Sequence, residues 1–374
     1  MAVIDIPPDP TTTGGARPAL QEAEPVKPIK WWAAVGAGVL ALEAYVFAHW
    51  IISGNATPTP TGSTPVPLWM KVMAHTWEVV GVVALAWCIW HFVIAPYRRE
   101  RTLTVDGMLV LAFFTLFWQD PLLNYNQTWA TYNATFINFG NWGASLPGWV
   151  GPTGHLMAEP IIWTLPVYVY ASMLAVVSCT WMMRKAKERR PSLGVPGLIG
   201  VAFVYGMVFD FVVETIWLRL GIYTYAGAIE WLTFFSGRYY QFPIYEVVLA
   251  GAMFGAFGAL RYFLNDRGMT VAERGVDELR VSHRAKLGVR FLAVVGIVNV
   301  LMFVTYNLPM QWFAIHADAW PEDITERSYL TNGICGPETD YACSGPDIPI
   351  PRPDSVHISP DGQLVIPEGT TFTP

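Results

Sequence analysis

Histidine, cysteine and charge are all scarce in this chain, and each shortage removes a class of function. Of 374 residues 7 are histidine, none in an HxxH or HxxxH spacing, so a histidine-ligated di-iron site is not expected. The 4 cysteines include no CxxC pair. No DDxxD or NDxxD run is present to hold magnesium diphosphate, and no GxxxxGK loop to cradle a phosphate. The last long apolar stretch, 287 to 309, lacks a lysine for a retinal Schiff base, and no two stretches offer facing histidines for haem. Charged residues make up 14% of the chain, against roughly a quarter in a soluble domain. A net charge of −6, with basic residues confined to short clusters, argues against a nucleic-acid partner. No metal and no cofactor are expected.

What is abundant is apolar length. Seven stretches, at about 31–52, 69–97, 105–121, 160–183, 195–218, 242–264 and 287–309, approach the roughly 20 residues a helix needs to cross a hydrocarbon core. The expectation is an all-α polytopic membrane bundle of seven transmembrane helices. Lys27 and Lys30, then Arg98, Arg99 and Arg101, then RKAKERR, then a mixed basic stretch from Arg261 to Arg290 all fall on one side of it. Positive loops stay cytoplasmic, which places the N-terminus inside, the C-terminus outside and the protein in the plasma membrane. Residues 1–26, rich in Pro, Thr and Gly, read as a disordered tail and not as a signal peptide. The membrane domain covers 27–315, and 316–374 reads as a Pro-rich extracytoplasmic tail. In that tail Cys335 and Cys343, eight apart on the oxidising side, suggest a local disulfide, and VHISPDGQLVIP suggests a small hairpin. Cys88 and Cys179 lie inside apolar stretches and read as packing residues. No internal repeat of the kind found in many transporters stands out.

Two outer loops carry most of the remaining information. Residues 121–159 contain many aromatics, Asn and Gly but a single charged residue, Glu159. Loop 219–241 shares the aromatic character. Such long connections are either disordered or functional, and aromatic richness fits disorder badly. The loops read either as an interfacial aromatic belt or as a lid over an apolar ligand.

Acidic residues at membrane depth are costly and tend to carry function. Running the helices in the inferred directions, Asp120, Glu159, Asp210, Glu214 and Glu246 cluster in the outer half, with Glu78 roughly 13 Å down the second helix at about 1.5 Å per residue. Glu43 and Asp106 fit this cluster less well. Asp210 and Glu214, four apart, share one helix face, where like charges repel. Sharing one proton relieves that repulsion and leaves an acid beside a carboxylate base; a structural pair bonded to Tyr205 or to neighbouring helices is the plainer alternative. His75 and Glu78 share a face as a relay or an interhelical hydrogen bond.

The strings FWQDPLLNY, INFGNWGASLPGWVGP, HLMAEPIIWTLPVYVY, GIYTYAGAIEWL, FPIYEVVLAG and DAWPEDITERSYLTNGICG make the chain similar to the AveC-like spirocyclases, a family of actinobacterial membrane proteins. The resemblance runs from about Trp31 to Cys343. It implies closure of a dihydroxy ketone into a spiroketal, with an influence on dehydration, and brings no catalytic set with it. The residue reading supplies one: Asp210 and Glu214 as acid and base, Asp120 and Glu246 assisting, Glu78 and Glu159 as further acids, and Trp118, Asn124, Tyr125, Tyr205, Tyr245 and His75 around the substrate. The expected partners are a lipophilic small molecule, polyketide- or lipid-like, and membrane lipids. A proton-coupled transporter or lipid-binding protein using the same acids is the alternative.

Overall fold

A computed structural model describes residues 27–368; the N-terminal tail expected over 1–26 lies outside the described residues. Among the described residues seven helices are long and apolar enough to cross a membrane: α1 (Pro28–Ile52), α2 (Leu68–Glu100), α3 (Val105–Asn124), α4 (Ile161–Arg189), α5 (Val195–Arg219), α6 (Ile244–Tyr262) and α7 (His283–Ile315). Each expected stretch is found, and the third reaches its length by continuing through Pro121 to Asn124. The chain is a multi-pass helical membrane protein.

α3 is the central helix. Met108, Leu109, Val110, Ala112, Phe113 and Leu116 have no exposed surface, whereas α2 presents a face of valine and tryptophan (Trp69, Val79, Val83, Trp87) and α5 one of valine and isoleucine (Val204, Val208, Val212, Ile216) to the surroundings. Proline explains three departures from α-geometry. Pro121 cannot donate inside a helix, and Phe114–Asn124 is wound as a 3-10 helix. π-turns at Ile89–Ile94 and Phe303–Asn307 each precede a proline, Pro96 and Pro309, that leaves a carbonyl one turn earlier without its usual donor.

Glycine sets two close helix contacts. A Cβ at Gly36 would lie 1.9 Å from the Leu292 carbonyl oxygen, and one at Gly296 2.2 Å from that of Trp32, so α1 and α7 touch backbone to backbone. Across α5 and α6, a Cβ at Gly206 would lie 2.7 Å from the Gly251 carbonyl oxygen, and one at Gly251 2.4 Å from Met207 Cγ. Small residues at such crossings substitute for a hydrophobic driving force that lipid does not supply. The second contact matters for chemistry, because Asp210 lies one turn beyond Gly206 and Glu246 little more than a turn before Gly251.

The two faces of the bundle differ. On the basic face Arg261 makes a two-pronged bond to Asp106 (2.6 and 2.8 Å), Arg290 pairs with Glu273 (2.8 Å) and Lys27 with Glu278 (3.1 Å). On the opposite face the two long loops fold together into a cap. β1 (Thr131–Tyr132) pairs antiparallel with β2 (Tyr223–Thr224), setting Tyr132 opposite Tyr223. A second pair, β3 (Thr233–Phe234) with β4 (Phe242–Pro243), closes the latter loop. Trp129 and Trp142 are fully buried, so these aromatics fill the cap interior and do not form a lipid-facing belt. Trp231, Phe234 and Phe235 remain exposed.

The segment after α7 is built into this cap and does not trail from it. Trp320, Ile324, Tyr329 and Leu330 pack with Val66, Met70 and Ala226. Thr131 Oγ1 donates to the Leu330 carbonyl (2.6 Å), and Asn332 Nδ2 to that of Tyr132 (3.0 Å). Cys335 and Cys343 are disulfide-bonded at a Cα separation of 4.8 Å. β5 (His357–Ile358) and β6 (Leu364–Val365) form a hairpin, with Gly362 at φ 82° in its turn, a conformation glycine adopts without steric cost. Cys88 and Cys179 are buried free thiols.

Candidate active site

Beneath the cap, α3, α4, α5, α6 and α7 enclose a chamber of about 120 Å³. Asp120, Asp210, Glu214 and Glu246 line it together with Tyr132, Tyr168, Tyr223, Tyr225 and Tyr306, and Trp163 and Trp217 form apolar walls. Among the described residues no lysine, arginine or histidine lines it. Four carboxyl groups without a cation in a buried space must be stabilised by hydroxyl donors and shared protons, or by a bound cation.

The tyrosines supply the donors. Tyr168 Oη (2.6 Å) and Tyr132 Oη (3.0 Å) both donate to Asp120 Oδ1. Tyr306 Oη donates to Glu246 Oε1 at 2.9 Å, and Tyr225 Oη to Glu214 Oε2. The ring of Tyr225 stacks flat on Trp129 at 4.7 Å, and Trp129 is anchored through its backbone N–H to Asn124 Oδ1 (3.0 Å). Burial, then the nearby carboxylates, pushes the phenols of Tyr132 and Tyr225 well above the usual range. They remain protonated donors throughout the physiological range.

The carboxyls form two pairs. Asp210 and Glu246 are within hydrogen-bonding reach of each other across the α5–α6 contact. Asp210 Oδ2 and Glu246 Oε2 are buried without a donor, and one proton held between the two groups satisfies that need. At the cap end Glu159 meets Asp120 in the same way. Burial, then the Asp120 charge, holds the Glu159 carboxyl well above its ordinary value of 4.5. Asn141 Nδ2 donates to it at 3.2 Å. Asp210, Glu214 and Glu246 can each present one oxygen with all three within 4.8 Å of one another, a set able to share protons or to draw in around a divalent cation.

Of the residues singled out from sequence, Asp120, Asn124, Asp210, Glu214 and Glu246 line the chamber, and Glu159 backs it through Asp120. The first partner of Asp210 is Glu246 on the neighbouring helix, and Glu214, partly exposed, is held by Tyr225. Tyr205 is not among the lining residues; it packs with Phe209 at 6.5 Å. Glu78 bonds His75 Nδ1 (2.8 Å) and accepts from the Ile137 backbone N–H (2.7 Å), tying α2 to the cap outside the chamber. Tyr245 stacks on Phe313 at 4.1 Å, and Trp118 and Tyr125 face a separate groove. Asp106 lies at the basic face with Arg261. The sequence reading missed all five chamber tyrosines. For Tyr223 and Tyr225 the signal was their alternation in IYTY, which puts both on one face of an extended segment.

A helical membrane bundle with a carboxyl- and tyrosine-lined chamber under an aromatic cap defines the class. Within it, a family model described as spirocyclase AveC-like matches residues 100–330, and the chain belongs to that family. The match contains every chamber residue named here and the cap segments that order them. No curated protein and no solved structure matches the chain.

Proposed function

We propose that the chamber closes a ring by acid–base catalysis with loss of water on a lipophilic, polyketide- or lipid-like substrate, giving a spiroketal-type product. One observation carries this reading: a donor-poor carboxyl pair, Asp210 with Glu246, beside a third carboxyl, Glu214, in a chamber walled by aromatic rings. A cavity of about 120 Å³ is comparable to the roughly 150 Å³ sites that take up one benzene ring, so it suits the reacting segment of a longer molecule.

The chemistry balances as follows. A substrate hydroxyl adds to the ketone carbon while the Asp210–Glu246 proton passes to the carbonyl oxygen and Glu214 takes the hydroxyl proton, giving a hemiketal. A proton returned to the hemiketal hydroxyl breaks the C–O bond and releases water. The oxocarbenium carbon is stabilised by the carboxylates and by the faces of Trp163 and Trp217. The second hydroxyl attacks that carbon and gives up its proton to the freed carboxylate. Protons are conserved and one water leaves.

Lipid extracts from cells with and without the protein, compared by accurate mass, test the reading. A compound heavier by one water is expected to accumulate in its absence and again when only Asp210→Asn is supplied. If no compound changes mass and one merely shifts between cells and medium, proton-coupled transport replaces this reading.

A further inference from the structure

Beside the chamber lies an apolar groove of about 600 Å³, inside the roughly 300–1,000 Å³ range of ligand pockets. It runs between the cap-side halves of α1 and α7, with Val39, Leu42, Leu122, Phe303 and Leu308 as walls. Phe303 and Leu308 at its rim are 42% and 52% exposed on a membrane-crossing helix. The groove therefore opens sideways toward lipid. It shares a partition with the chamber: on the 3-10 segment of α3, Leu116 and Asp120 face the chamber and Gln119 and Leu122 the groove. On α7, Tyr306 faces the chamber and Asn307 the groove.

Its floor is a chain of buried carboxamides. Trp118 Nε1 (3.1 Å) and Gln119 Nε2 (2.7 Å) donate to Asn299 Oδ1, Asn307 Nδ2 donates to Gln119 Oε1 (2.9 Å), and Gln311 Nε2 donates to the Leu122 carbonyl (2.7 Å). The chain ends on Asn307 Oδ1, which is buried and accepts nothing. An acceptor left over at bilayer depth costs free energy until a donor reaches it. Among the described residues no charged one lines the groove, so an ionised headgroup finds no partner there, whereas a neutral hydroxyl does. We infer that this groove is a second ligand site, distinct from the chamber, which takes a neutral single-chain lipid bearing a hydroxyl group, its chain along the α1–α7 walls and its hydroxyl donating to Asn307.

The test uses the full-length protein in phosphatidylcholine nanodiscs and three diazirine-bearing probes: hexadecanol, palmitic acid at alkaline pH, and phosphatidylcholine. Cross-linked peptides are located by mass spectrometry. Hexadecanol is expected to label residues 118–126 and 299–311 preferentially and to be competed by unlabelled hexadecanol. Leu42→Trp, which fills the groove, is expected to abolish that labelling. Asn307→Leu should weaken it about fivefold, the loss of one hydrogen bond, and erase the preference over palmitate. Asp210→Asn should label like the wild type, so the outcome here is separate from that of the ring-closure test. Equal labelling by all three probes, or labelling that unlabelled hexadecanol does not compete, would mean bulk lipid only and overturn the site. That comparison needs only the wild-type protein and stands even where a variant fails to fold.

Discussion

Asp210 and Glu246 lie together across the α5–α6 contact, and in the proposed reaction the pair acts as a single proton-holding unit. Asp210→Asn and Glu246→Gln are each expected to lower kcat by about 10²- to 10⁴-fold, the usual worth of a positioned acid or base. The double variant should be no worse than the poorer single one, because groups acting as a unit are not additive; multiplicative losses in steady-state assays would separate the two roles. Tyr225→Phe removes the hydroxyl that holds Glu214 and should cost about tenfold in kcat and move the acidic limb of the pH–rate profile, which the base sets.

Glu159 gives a stability prediction with a definite sign. Its folded-state value lies well above the ordinary 4.5, so the folded protein holds a proton that the unfolded chain releases. The stabilisation is fully present below 4.5 and is lost as pH rises through the folded value. Glu159→Gln, which mimics the protonated form, should flatten this decline. Thermal unfolding in detergent across that range measures it, and an unchanged slope would show Glu159 to be ionised.

The α5–α6 crossing decides whether the carboxyls meet at all. The Gly206 and Gly251 backbones are too close for any side chain, so Gly251→Val should overpack the contact by about 1–3 kcal/mol. Displacing reacting groups by about 1 Å can cost on the order of 100-fold in rate. Activity is therefore expected to fall by far more than thermal stability, and equal losses would mean that the glycine serves only packing. The 3-10 end of α3 works on the same scale: it turns Asp120 toward the chamber and Gln119 toward the groove within one turn.

The described chain is a bundle whose cap is assembled from four distant segments, the connections after α1, α3 and α5 and the stretch after α7. The Cys335–Cys343 bond closes the last of them, and Cys335→Ser should destabilise the protein by about 2–3 kcal/mol for so short a loop. A matching fall in the melting temperature on adding reductant is the check. The basic ends of the helices lie opposite the cap, from which we propose a cytoplasmic N-terminus and an outward cap. Ser359→Cys should then react with a membrane-impermeant maleimide in intact cells; labelling only after lysis would reverse the orientation.

Sequence alone was enough for the seven helices, because apolar length is a one-dimensional property, and for the cap-side depth of the acids, because rise per residue converts position into height. It was enough also for the hairpin after Pro360, whose turn chemistry is local. It could not say which acids touch. Asp210 and Glu214, neighbours along the helix, do lie together, but the third member of their cluster, Glu246, is brought in by a glycine contact between two helices. Glu78 has the right depth yet points to Ile137, since depth leaves rotation about the bundle axis undetermined. The five tyrosines enter the chamber through strand pairing between separate loops, through helix packing and through the π-turn of α7. Each of these is decided by contacts between segments far apart in the chain, where packing has more influence than any local preference.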